Sequence, residues 1–127
     1  MSLKAPLARV LGLGSAKEGT GHWWAQRLTA VGLVPLTLWF IFSVIGMPHG
    51  NYEIVTAWIA EPINAIGLIL LVMTLVYHSE LGLQVVIEDY VHGAAGVVTL
   101  IVVKFVHIVL AVAGIYSIVV IAVGAVQ

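Results

Sequence analysis

The chain has 127 residues and a formal net charge of −1; 61% of its residues are hydrophobic, 9% are charged and none is cysteine. A soluble domain carries roughly a quarter charged residues, so too few are present here to cover a water-facing exterior, and a soluble fold is excluded. Without cysteine the chain has no disulfide, thiolate metal site or thiol catalysis, and no Lys/Arg cluster marks a nucleic-acid partner.

The N-terminal stretch MSLKAPLARVLGLGSAKEGTGHWWAQR is basic. It lacks a long apolar core followed by a small-residue cleavage site, so a removable signal peptide is not expected. Three segments then have the roughly 20 mostly apolar residues that a bilayer-spanning helix needs. They are expected at about 26–47, 62–84 and 96–125. The first is entered by Arg27, is free of charge from Leu28 to Pro48, and contains Pro35, which removes a helical hydrogen bond and predicts a kink. The second contains Glu80 late in its course, and the third contains Lys104. The intervening HGNYEIVTAWIAE reads as a loop without Lys or Arg. The expected fold is all-α: a single membrane-anchor domain over residues 1–127 with three transmembrane helices.

Lys4, Arg9, Lys17 and Arg27 all precede or open the first span. The positive-inside rule therefore puts the N-terminus in the cytoplasm and the C-terminus across the membrane. Lys104 then snorkels back toward the cytoplasmic face. Trp23 and Trp24 read as an aromatic belt on that face, Tyr52 and Trp58 as one on the other.

The stretch VYHSELGLQVVIEDYVHG, residues 76–93, gathers most of the chemistry. Ionisable groups inside a span mark a cofactor, a relay or a pore. If the second helix ends near Gln84, His78 lies roughly 9 Å inside that end. Gly82 is one turn on, leaving room for a flat macrocycle, and Asp89 returns to the same face eleven residues later. Two readings stand: an axial haem ligand, or a neutral histidine hydrogen-bonded to a neighbouring helix. Tyr90 and Asp89 read either as a phenol donor with an adjacent proton-handling carboxylate or as a polar helix end. Glu88 reads as solvated. Arg27 suits a carboxylate or propionate, or serves as a topology anchor. His107 is a second candidate ligand, but counted from Gly96 it lies roughly 16 Å deep, against roughly 9 Å for His78. Ala111 and Gly114, on the face of His107, read as a close-packing seam. His22, His49 and His92 fall at or outside the interfaces, and of these His22 is the one placed to touch a cofactor.

These residues carry a resemblance. HSELGLQVVIEDYV resembles the H-x-x-x-G-x-x-x-x-x-x-D-Y signature of the small hydrophobic membrane anchors of succinate dehydrogenase (complex II), of the alphaproteobacterial and mitochondrial-like type. GTGHWWAQRLTAVGLVPL is similar to the W-x-x-x-R-x-T-A entry to their first span. The resemblance implies an inner-membrane protein, bacterial or mitochondrial. It further implies one haem b clamped between this chain and a second membrane anchor of the cytochrome b type, each giving a histidine. An iron–sulfur subunit and a flavoprotein subunit that oxidises succinate complete the implied assembly. By position, His78 is the implied axial ligand to the haem iron, and Arg27 a haem-propionate or quinone-site neighbour. Tyr90 is the implied hydrogen-bond partner of a ubiquinone carbonyl, with Asp89 beside it. His22 has no secure counterpart, and His107 is outside the motif. No succinate-oxidising site is expected in this chain.

Two alternatives stay open. A fumarate reductase anchor would use the same parts in the opposite direction. A small proton-conducting transport subunit would use His78, Glu80 and His107 as its path.

Overall fold

The structure, a computed structural model, describes residues 19–48 and 51–124. Lys4, Arg9, Lys17 and His49 lie outside the described residues, so the expected orientation rests on the sequence. The described residues form four helices and no strand: α1 (Gly19–Ile45), α2 (Tyr52–Ala60), α3 (Pro62–Tyr90) and α4 (Gly93–Gly124). At 1.5 Å per residue, the 27, 29 and 32 residues of α1, α3 and α4 measure about 40, 44 and 48 Å. Each exceeds the ~30 Å hydrocarbon core of a bilayer, and all three are apolar enough to cross it.

The helices outrun their apolar segments. α1 starts at Gly19 rather than near residue 26, and α3 continues past Gln84 to Tyr90. At the end of α3 the extension is supported by a side-chain pair: Gln84 donates from Nε2 to Glu88 Oε1 one turn on, at 2.7 Å. Hydropathy marks where a helix leaves lipid; it does not mark where the helix stops. Only Val91 and His92 separate α3 from α4. The Val91 amide caps α3 by donating to the Ile87 carbonyl at 2.8 Å. Gly93 takes a positive φ of 69°, open to glycine at no steric cost. A Cβ on Gly96 would collide with the Val91 carbonyl oxygen, so the tight turn also requires glycine there.

The segment expected as a loop between the first two spans contains α2. Its start is set by Asn51, whose side-chain oxygen accepts from the amides of Glu53 at 3.0 Å and Ile54 at 3.3 Å. That satisfies two donors that a helix start otherwise leaves free. Pro62 sits at the first turn of α3, where its missing N–H costs nothing.

α3 is the central helix. α1 and α4 each pack along it, α2 packs on α3 and α4, and α1 and α4 make no backbone approach to one another. Ala65, Leu68 and Ile118 form the buried core near the α2 end, ringed by Trp39, Phe40, Trp58, Ile59, Val72 and others. Trp58 stacks on Trp39 with centroids 5.7 Å apart, so it takes part in this packing, while Tyr52 is exposed. Asn64 is buried but satisfied, donating to the Trp58 carbonyl at 2.9 Å and Glu61 Oε2 at 3.1 Å. The expected seam at Gly114 is present: a Cβ there would lie 3.0 Å from Val72 Cγ1. Outside this core most large apolar side chains face outward, as in a protein whose solvent is lipid.

Candidate functional site

Thr29 and His78 lie opposite each other in the seam between α1 and α3, with His78 Nδ1 2.9 Å from Thr29 Oγ1. Thr29 Oγ1 is also 2.7 Å from the Ala25 carbonyl and 3.1 Å from that of Gln26. Two oxygens at 2.7 Å need a proton between them, and a hydroxyl has one to give. Thr29 therefore donates to its own helix and accepts from His78 Nδ1–H. In a neutral imidazole the other nitrogen, Nε2, then carries the free lone pair. The Gln26 Nε2 amide lies 3.4 Å from it, a long contact.

His22, Gln26 and Thr29 follow the i, i+4, i+7 spacing that puts side chains on one helix face. His22 Nε2 and Gln26 Oε1 are buried with no hydrogen-bond partner among the described residues. Gly82 faces this stripe, and a Cβ there would lie 3.6 Å from Gln26 Nε2. Because α1 and α3 run antiparallel, seven residues back from Thr29 brings His22 level with about Val85 on α3. Polar groups thus step from His78 toward Asp89 and Tyr90. The sequence reading meets Thr29 only as the threonine of the Arg-x-Thr-Ala entry and gives no role to it or to Gln26; polar residues at helical spacing on an otherwise apolar span are the signal that could have found them.

Arg27 points out of this seam. It is exposed, and its guanidinium carbon lies 5.3 Å from the Trp23 ring centroid, a cation–π distance. Trp23 meets Trp24 edge to face at 5.1 Å. Since α3 is unbroken, His78 and Asp89 keep one face, and His78 is twelve residues from the helix end. Its distance inside that end is about 18 Å, twice the roughly 9 Å that a helix ending near Gln84 would give. Tyr90 is 81% exposed, and Asp89 is exposed beside it.

His107 is at a similar depth, about 21 Å from the start of α4, so the expected mismatch with His78 narrows to about 3 Å. Direction separates the two. His107 Nδ1–H donates to the Val103 carbonyl at 2.7 Å, leaving Nε2 to accept from Ser79 Oγ at 3.3 Å. It therefore faces the α3–α4 seam, while His78 faces α1. In that second seam a groove of about 370 Å³ is lined by Tyr77, Glu80, Lys104 and His107 among apolar residues. Glu80 Oε1 and Lys104 Nζ approach to 3.9 Å across it. Among the described residues no cluster of three His, Cys, Asp or Glu could hold a metal ion.

The family described as "Succinate dehydrogenase/Fumarate reductase transmembrane subunit" matches residues 1–124. Among its relatives, a succinate dehydrogenase hydrophobic membrane anchor subunit of Rickettsia bellii is 40% identical over 69% of this chain and 70% of its own length. One from Paracoccus denitrificans is 37% identical over 65% of this chain and 64% of its own. The succinate dehydrogenase membrane anchor subunit of Reclinomonas americana is 35% identical over 61% and 67%. No solved structure matches significantly. Together with three helices of membrane length, these likenesses make the chain a multi-pass inner-membrane protein. By a match that runs almost its whole length, it belongs to the family of succinate dehydrogenase/fumarate reductase transmembrane subunits.

Proposed function

We propose that this chain anchors the flavoprotein and iron–sulfur subunits of a succinate:ubiquinone oxidoreductase, gives one axial ligand to a haem b shared with a second membrane anchor, and forms part of the quinone site. The observation that carries the reading is the hydrogen-bonding state of His78. Its Nδ1–H is held by Thr29, so Nε2 offers a lone pair, the state in which imidazole binds iron. The surroundings fit such a group. Gly82 presents no side chain, and two buried polar atoms, His22 Nε2 and Gln26 Oε1, lack partners along the same seam. A haem bound there takes up and releases single electrons.

His78 would hold the iron, with Gln26 turning its amide off Nε2. Arg27, which faces out of the seam toward Trp23, would have to swing its long side chain off that ring to meet a propionate or the quinone pocket. Tyr90 would donate its phenol proton to a ubiquinone carbonyl at the end of α3. Asp89 would orient that phenol and hand on protons from water, which its exposure allows. The inferred orientation, N-terminus in the cytoplasm, puts this end of α3 at the face where electrons from succinate arrive.

A proton-conducting path through His78, Glu80 and His107 has little support, because His78 faces one seam and the other two face the opposite one. Succinate oxidation is favoured over fumarate reduction because the relatives named above are succinate dehydrogenase subunits. The test is the optical spectrum of the purified complex. Wild type should carry a low-spin haem b that His78→Ala abolishes or alters; an unchanged spectrum in that variant removes His78 as ligand.

A further inference from the structure

We infer that Thr29 is the positioning residue for the iron ligand, its hydroxyl selecting the nitrogen of His78 that is free to bind and tuning the iron that is bound. The inference rests on the reading of His78 as an axial ligand and adds a residue to which that reading gives no part. Thr29 is the threonine of the Arg-x-Thr-Ala entry to the first span, forty-nine positions before the histidine.

A neutral imidazole in lipid has two tautomers, and in only one is Nε2 a ligand. Gln26 does not choose between them, since a carboxamide can turn either its oxygen or its nitrogen toward Nε2. Thr29 does choose. Its 2.7 Å approach to the Ala25 carbonyl commits the hydroxyl proton to α1, which leaves only lone pairs for the imidazole 2.9 Å away. An isolated hydroxyl or N–H in this setting is costly, and this chain of bonds satisfies both donors. Accepting the Nδ1–H also pushes electron density toward Nε2, making it a stronger donor to the more positive, ferric state of an iron. The α1 backbone thus sets the iron-binding nitrogen on α3 through one side chain.

The test compares Thr29→Val, which keeps the branched shape and removes the hydroxyl, with Thr29→Ser, which keeps the hydroxyl. Each is made in the whole complex and read by haem content, redox titration and thermal midpoint. Thr29→Val should retain haem about tenfold more weakly and raise its midpoint potential. A tenfold loss confined to the ferric state is an upward shift of about 59 mV for one electron. Thr29→Ser should restore both. A threonine needed only for packing would lower the thermal midpoint and leave the potential unmoved, which would overturn the inference. So would wild-type haem content and potential in Thr29→Val, or a Thr29→Ser complex as deficient as the valine variant. If Thr29→Val holds no haem at all, the serine variant decides, since it must then hold haem at the wild-type potential. His78→Ala separates the layers. Haem retained there rejects the ligand itself, whereas haem lost there with Thr29→Val unaffected rejects Thr29 alone.

Discussion

The carboxylate of Glu80 lies 3.9 Å from the ammonium of Lys104, joining α3 to α4 across the seam that also holds His107 and Ser79. The two ends are not equally placed: the Glu80 side chain is 14% exposed and that of Lys104 68%. Lysine has a flexible stem that can carry its charge to the interface, whereas glutamate has a short stem held in the groove.

Removing the lysine should therefore cost more than removing the glutamate. Lys104→Met strands a carboxylate beside Tyr77 and His107, while Glu80→Gln leaves a cation able to snorkel. Given the exposure of the lysine, the expected loss for Lys104→Met is about 1 kcal/mol, with a smaller loss for Glu80→Gln. The double variant should recover most of it, because an unpaired charge costs more than an absent pair. Thermal midpoints of the complex in detergent, taken as a double-mutant cycle, measure the difference; equal losses from the two single variants would contradict it.

Gly67 should be intolerant of alanine. A Cβ there would lie 2.6 Å from the Trp39 ring, and that ring is stacked on Trp58, 5.7 Å away. Alanine improves helix propensity by up to about 1 kcal/mol, but overpacking costs about 1–3 kcal/mol. The net expectation is a loss of about 1 kcal/mol, seen as a lower midpoint with an unchanged haem spectrum, since the contact is far from His78. A gain in stability would mean that the indole moves aside freely.

Tyr90→Phe should leave assembly and haem intact, because the side chain is 81% exposed and buries little surface. Losing one hydrogen bond to a reacting carbonyl, about 1.4 kcal/mol, is tenfold in rate. Ubiquinone reduction should therefore fall about tenfold, while succinate oxidation by a soluble dye continues at the wild-type rate. Undiminished quinone turnover would reject Tyr90 as the donor.

The span number and the polar positions can be read from the chain, because both follow from local composition. A run such as Leu28–Pro48 has no alternative to lipid, and the Asp89–His78 offset of eleven residues fixes a shared face on any straight helix. Helix ends are hidden because hydropathy reports where a helix leaves lipid, and α3 runs on beyond that point from Gln84 to Tyr90. The helix at Tyr52–Ala60 is hidden because a nine-residue apolar segment is too short for a hydropathy signal, although Asn51 before it is a capping residue.

The amino-acid order by itself determined that this is a membrane-spanning helical chain with one imidazole set into its second span, since hydropathy and helical periodicity are properties of neighbours along the chain. Which way that imidazole faces, and in which tautomer, was decided only when α3 settled between α1 and α4. The hydroxyl of Thr29 and the carboxylate of Glu80 then drew their partners from residues tens of positions away. Hydrogen bonds and ion pairs depend on distances of a few ångströms across helix seams, and no pattern in one helix encodes the register of the next.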